Sequence, residues 1–480
     1  MKNTGIFLLS SLVIFIAFGC SQSFLNELPE DQIAKESFYK TENDMRLAVN
    51  AAYAPLRDIF DTDDNRLWDM STDIGTNPTG SGISDWIFYP TDGLFNRLWS
   101  NCYQGINLAN IVITKITDVP MDDNTKASLT AEARFLRAIY YHTLVSNFGD
   151  VPLILAPQNP DELEVPRTTS DQVYGQITED LVFAEQSLPS VSALRGTSDL
   201  GRATAGAASG YLSRVYLYLN DWSKAAEKAK KVIDSDEYEL INDYNSVFSL
   251  ANENNNESLF EVQFAQSRTP EQNFSMYCWS FSPRGNPQTA HGGGELIIRP
   301  EFVSLYEPDD TIRRKTTVFM EGDPFFGIEY NPLWSETGLN VAKYMLSNED
   351  APSGEIIQGV VAKGSPLNQH LMRYAEILLN YAEAEMQLGK KDEALWGINQ
   401  VRKRAGIPEL EESELTLYTI YHERQIEFAM EGQRLNDLRR TGEATAVLSV
   451  YGFEPSIHYV FPIPQNEIER NSMLEQNPGY

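Results

Sequence analysis

Between His370 and Arg440 the sequence carries two apolar stripes of helical period joined by a polar turn, and neither stripe can be left facing water. In the first, Leu371, Tyr374, Leu378, Tyr381 and Leu388 recur at helical steps, with Ala375, Ala382 and Ala384 small enough to admit a close neighbour. Gly389 suits the end of that helix and Asp392 the cap of the next, whose stripe is Ala394, Leu395, Ile398, Val401 and Ala405. Gly406 and Pro408 stop the second helix, and LTLYTIYHERQIEFAMEGQRLNDLRR reads as a third, ending at Arg440. Trp396, inside the second helix, is expected to serve stability.

A small-residue helix, a polar turn and an alanine-rich second helix resemble one tetratricopeptide unit, which cannot bury its apolar face alone and needs stacked neighbours. Residues 207–234 supply one. They align without a gap on 376–403, Leu219 falling on Leu388 and Lys224-Ala225-Ala226 on Glu393-Ala394-Leu395. The fold class that follows is mainly α, a tetratricopeptide-like helical repeat scaffold (an α-α superhelix) with a large irregular, loop-rich insertion carrying short strands.

Helical period also marks a stretch with Met45, Ala48, Val49, Ala52, Tyr53 and Leu56 on one side, capped by Thr41 or Asn43, and the segments around 94–116, 127–148 and 170–189. Residues 61–93 lose that period among Gly, Asn, Asp, Thr and Ser, and residues 236–368 break into short β-type runs such as LFEVQF and ELIIRP between Asn, Gly and Pro. The expected divisions are a signal segment 1–19, a tether 20–40, an N-terminal helical half 41–235 with the loop 61–93, an irregular ligand-facing insertion 236–368, and C-terminal helices with an ordered tail 369–480.

Thirty-eight basic against 68 acidic residues give a net charge of −30 spread along the chain, which argues against a nucleic-acid or anionic-lipid face. A neutral ligand or a protein partner fits better. Lys2, the apolar run Ile6 to Phe18 and Gly19-Cys20 match the zones of a secretion signal too short to span a bilayer. Cys20, followed by Ser21-Gln22-Ser23, stands where a bacterial lipoprotein is acylated. Cys102 and Cys278 are too few for a disulfide framework and suit buried thiols.

Catalytic and metal patterns fall short. His422-Glu423 begins like a zinc helix, but Ile426 stands where the second histidine is needed. His291-Gly292-Gly293-Gly294 lacks the nucleophile elbow that an oxyanion loop accompanies, and reads as a turn. Glu423, Glu427 and Glu431 share one helical stripe, with Arg424 and Arg434 as expected neutralising partners. No metal, cofactor or catalytic residue is assigned. Aromatics remain: Trp68, Trp86, Phe88, Tyr89, Trp279, Phe281, Phe325, Phe326, Tyr330 and Trp334 crowd the segments that lack helical period. An aromatic face stacks on the C–H face of a sugar while Asp, Asn and Arg take its hydroxyls.

FLNELP after Cys20, AVNAAYAPLR, LWSNCYQGINLANIVI, AEARFLRAIYYHTLVSNFGDVPLI, RYAEILLNYAEAE, INQVRKRAG, ERQIEFAMEGQRLNDLRR, FPIPQNEI and QNPGY follow one another in order. On these the chain resembles, over nearly its full length, the SusD/RagB family of Bacteroidota surface lipoproteins. The resemblance implies a non-enzymatic protein anchored to the outer membrane through the lipid on Cys20, which binds a glycan and delivers it to a SusC-like TonB-dependent transporter. Ligand contacts vary within the family, so the assigned residues are loop aromatics and polar neighbours: Asp73, Asp85, Trp86, Tyr89, Trp279, Arg284 and Trp334. A peptide-binding member of the family and a secreted glycan hydrolase are the alternatives.

Overall fold

A computed structural model describes residues 38–61, 67–79, 82–158, 164–265, 275–284, 292–325, 327–346 and 365–480. The signal segment, Cys20 and Phe326 lie outside the described residues.

Eight helices pair into four hairpins: α1 (Glu42–Phe60) with α2 (Gly93–Lys115), α3 (Asp123–Phe148) with α4 (Ser170–Ser187), α5 (Ala205–Tyr218) with α6 (Trp222–Ile233), and α7 (Tyr374–Gln387) with α8 (Lys391–Ala405). Thr41 caps α1 in a reciprocal capping box with Asp44, and Met45, Ala48, Val49, Ala52 and Leu56 form its buried face. Each hairpin stacks on the next through α2 on α3, α4 on α5 and α6 on α7, so the superhelix is continuous although residues 236–368 intervene between α6 and α7. The repeat alignment holds at its turn. Asn220 and Gly389 both take left-handed backbone, with φ of 55° and 77°, directly after Leu219 and Leu388.

Three boundaries differ from the sequence reading. Gln369–Arg373 is a strand, β6, which pairs antiparallel with β2 (Ser258–Val262), so α7 begins at Tyr374. The pair lies against α5, where a Cβ on Gly210 would stand 2.6 Å from Met372 Sδ and 2.8 Å from Leu259 Cδ2. Lys390, not Asp392, is the N-cap of α8; Asp392 sits in the first turn, where its charge complements the positive helix end. The third expected helix is two, α9 (Leu417–Glu427) and α10 (Arg434–Arg440), separated by Met430 and Gly432 at φ of 66° and 73°.

That break takes Glu431 off the α9 stripe and into a buried ion lattice. Arg313 Nη1 lies 2.6 Å from Glu423 and 3.3 Å from Glu427, while Arg402 reaches Glu423 at 3.0 Å. Arg373 spans Glu427 at 3.0 Å and Glu431 at 2.8 Å, and Lys343 meets Glu431 at 2.9 Å. Glu257 and Arg404 extend it, as does Asp310, 2.6 Å from Arg313. The partners expected from sequence are engaged elsewhere: Arg424 holds Asp437 at 2.9 Å, and Arg434 holds Asp73 at 3.0 Å. Burial alone would raise the Glu427 carboxyl, yet Arg404, Arg373 and Arg313 hold it well below its ordinary value. At this depth the attraction between the charges largely offsets the cost of taking them out of water, so removing one partner costs more than the pair contributes.

Candidate functional site

The irregular half is built on a four-stranded antiparallel sheet in the order β1 (Gly75–Thr76), β3 (Ile297–Ile298), β5 (Leu339–Val341), β4 (Val318–Met320). Ile297 pairs with Thr76 and with Asn340. The chain entering β3 therefore comes off one end of the sheet, while Arg299 and the turn before β5 share the other.

At the second end Arg299 organises the residues 72–85. Its Nε donates to Thr72 O at 3.0 Å and Gly75 O at 2.8 Å, its Nη2 to Ser84 O at 3.2 Å, and the guanidinium lies 3.9 Å from the centre of the Tyr451 ring. Gly452, at φ 102°, lets this turn rest on the Asp85 carbonyl, which a Cβ there would meet at 2.6 Å. Asp85 is exposed beside this guanidinium. Asp73 is not available to a ligand as expected: Arg434 donates to both of its oxygens at 3.0 Å, and Gln425 to Oδ2 at 2.9 Å.

The tryptophans divide. Trp86 was expected on the loop surface and is instead in the core, 3% exposed, with Phe453 at 4.7 Å and His458 at 5.1 Å between ring centres. The physical reason is local: a single 3₁₀ turn at Gly82–Asp85 and a left-handed backbone at Trp86, φ 56°, fold the indole inward beneath Asp85. Trp68, Phe88, Phe281 and Tyr330 are buried as well. Trp396, expected to serve stability, is 41% exposed and meets Tyr381 edge to face at 6.0 Å between ring centres. Tyr89, by contrast, is 61% exposed, its backbone N–H held by Asp92 Oδ2 at 2.8 Å.

Trp279 and Trp334 are half-buried. Trp334 leans on Tyr330 and Phe319, with ring centres at 5.5 and 6.1 Å. Trp279 packs on Gly293, and exposed Arg284 donates from Nε to the Gly293 carbonyl at 2.5 Å. The structure thus brings Asp73 and Asp85 together around Arg299 and Tyr451, and Trp279 together with Arg284. It leaves Tyr89 and Trp334 as separate aromatic stations. Arg299 and Tyr451 were missed because they meet only in the folded chain; Pro300 after Arg299 and Gly452-Phe453 after Tyr451 were the local signals.

Two recesses among the described residues are smaller than the 300 Å³ or so that a drug-sized ligand fills. One, of about 80 Å³, lies between α3, α5, α7 and α9–α10; the other, of about 220 Å³, is lined by Asn50, Tyr53, Arg57, Arg202 and Gln263. Among the described residues no group of three His, Cys, Asp or Glu is placed to hold a metal ion, and no helix is long and apolar enough to cross a membrane.

Residues 256–480 match the profile of the SusD family, and residues 33–217 match one described as starch-binding associating with outer membrane. SusD-like protein P2 of Formosa agariphila is 29% identical over 528 aligned positions, covering 100% of this chain and 99% of its own. A solved laminarin-binding SusD-like protein superposes with a TM-score of 0.82 at 28% identity, over 92% of this chain and 100% of its own. Surface glycan-binding protein A from Bacteroides thetaiotaomicron, solved in complex with laminarihexaose, gives a TM-score of 0.76 at 26% identity, over 91% of this chain and 100% of its own. Related profiles thus meet both halves of the sequence, and the superposition carries the same fold across the insertion that divides them: the chain belongs to the SusD/RagB family.

Proposed function

We propose that this chain binds a glycan or oligosaccharide at the bacterial surface, anchored to the outer membrane through Cys20, and hands it to a SusC-like TonB-dependent transporter without making or breaking a bond. The observation that carries the reading is the set of aromatic faces left open on the loop half, Tyr89, Trp279 and Trp334, in a fold shared with proteins solved as binders of laminarin and laminarihexaose. Stacking supplies affinity, while Arg284 offers a hydroxyl donor beside Trp279 and Asp85 an exposed acceptor beside Arg299. The net charge of −30 favours an uncharged ligand over an anionic one.

A glycan array probed with the mature chain tests the capture step, with a peptide array beside it; β-glucan oligosaccharides are the first expected hits, and peptide-only binding would overturn the reading. Incubating the bound oligosaccharide with the protein should return it intact. Cys20→Ser should shift the protein out of the membrane fraction, and unchanged fractionation would remove the anchor.

A further inference from the structure

The glycine run 292–294 is tied to the Trp279–Arg284 segment at three points, and Glu295 beside it adds a fourth. Gly293 N–H donates to Trp279 O at 2.6 Å, Gly294 N–H to Ser282 O at 2.9 Å and Glu295 N–H to Ser280 O at 2.7 Å. From the opposite strand Arg284 Nε donates to the Gly293 carbonyl.

Each glycine is required for a different reason. A Cβ on Gly292 would stand 2.1 Å from the Ser282 carbonyl oxygen, a backbone atom that cannot step aside. Gly294 has φ +51°, in the left-handed region. Gly293 faces the indole itself: a Cβ there would lie 2.8 Å from Cζ2 and 2.9 Å from Cε2 and Cη2 of Trp279. No side chain fits at 293 while the ring stays where it is.

We propose that residues 292–294 form a backbone strap that sets the depth and tilt of the Trp279 indole for stacking on a sugar ring, with Gly293 as the positioning residue. The inference rests on Trp279 being a ligand contact, as proposed above. Stacking rewards a flat face presented at one angle, and a ring already held there loses less freedom when the sugar arrives. A peptide backbone is the thinnest buttress available, so the indole packs on the strap and remains half-exposed.

Gly293→Ala tests this directly, because its methyl must displace the ring. Gly175→Ala is the control, since Gly175 is exposed on α4 and a Cβ there meets nothing within 4 Å, which leaves the strap, Arg284 and the indole alone. On the best ligand from a panel that includes laminarihexaose, Gly293→Ala should weaken binding about tenfold or more and Gly175→Ala less than about twofold. Added to Trp279→Ala, the Gly293 change should cost nothing further. Wild-type affinity in Gly293→Ala beside a tenfold loss in Trp279→Ala would overturn the strap and leave the glycan reading standing. Wild-type affinity in Trp279→Ala would remove Trp279 from the site and overturn the strap, whereas a wild-type chain that binds no glycan would overturn the glycan reading itself. A crystal structure of Gly293→Ala needs no ligand: a displaced indole supports the strap, and an indole in its original orientation refutes it.

Discussion

Trp86→Ala separates a core tryptophan from a ligand-facing one. The indole is 3% exposed and packs on Phe453, His458, Phe88 and Phe461, with Arg439 over its ring at 5.9 Å. Truncating a buried aromatic of this kind costs about 3–5 kcal/mol, from lost transfer energy plus the cavity left behind. Unfolding entropy of about 2.1 cal/mol/K per residue over 480 residues gives roughly 1 kcal/mol/K, so the melting midpoint should fall by about 3–5 °C. Alanine tolerates φ 56° no better than tryptophan, so the backbone term cancels. Thermal melts by circular dichroism read the shift, and titration on the same samples should show affinity changed less than about threefold, since Tyr89, Trp279 and Trp334 are untouched. A variant that melts like wild type but binds tenfold more weakly would show that Trp86 is a ligand contact after all.

Three other outcomes are expected. Glu427→Gln leaves Arg373, Arg404 and Arg313 short of one buried carboxylate and should destabilise by about 3–5 kcal/mol; an unchanged urea midpoint would show that the lattice tolerates the loss. Burial pushes the Asp69 carboxyl from 3.8 up to about 7, so the folded chain holds a proton that the unfolded chain releases, and stability from this group falls as pH rises from about 4 through 7. Asp69→Asn should remove that decline: its melting midpoint relative to wild type should rise between pH 5 and 8, and a constant difference would contradict the shift. Although burial pushes the other way, Arg424 and Arg440 hold Asp437 down at about 2, so its contribution is present above 3.8 and lost as pH falls from there towards 2. Asp437→Asn should therefore flatten the acid limb of the stability curve, and an unaltered limb would place the loss elsewhere.

The helical scaffold was legible because its signal is local. Stripes such as Ala394, Ile398 and Val401 repeat at the pitch of the helix they form, and the Asn220 and Gly389 turns can be matched by eye. β6 was misread because Leu371 and Tyr374 happen to keep helical spacing across a junction that pairing with β2 decides. The ion lattice was invisible in sequence: apart from Asp310 with Arg313, its pairs join residues 21 to 147 positions apart, and helical spacing pointed at Arg424 and Arg434 instead. The tryptophans mark the same limit within the site. Trp86 lies in a periodless loop yet is buried, and Trp396 lies in a periodic helix yet is 41% exposed, because tertiary packing rather than local period decides which ring meets water.

Calorimetric titration of the Tyr89→Ala, Trp334→Ala double variant against wild type, using the oligosaccharide selected on the glycan array, tests capture by open loop aromatics most directly. Losing one aromatic anchor costs about 2 kcal/mol, so affinity should fall at least about thirtyfold while the melting midpoint stays put. Wild-type affinity in the double variant, or a wild-type protein that binds no glycan at all, would contradict it.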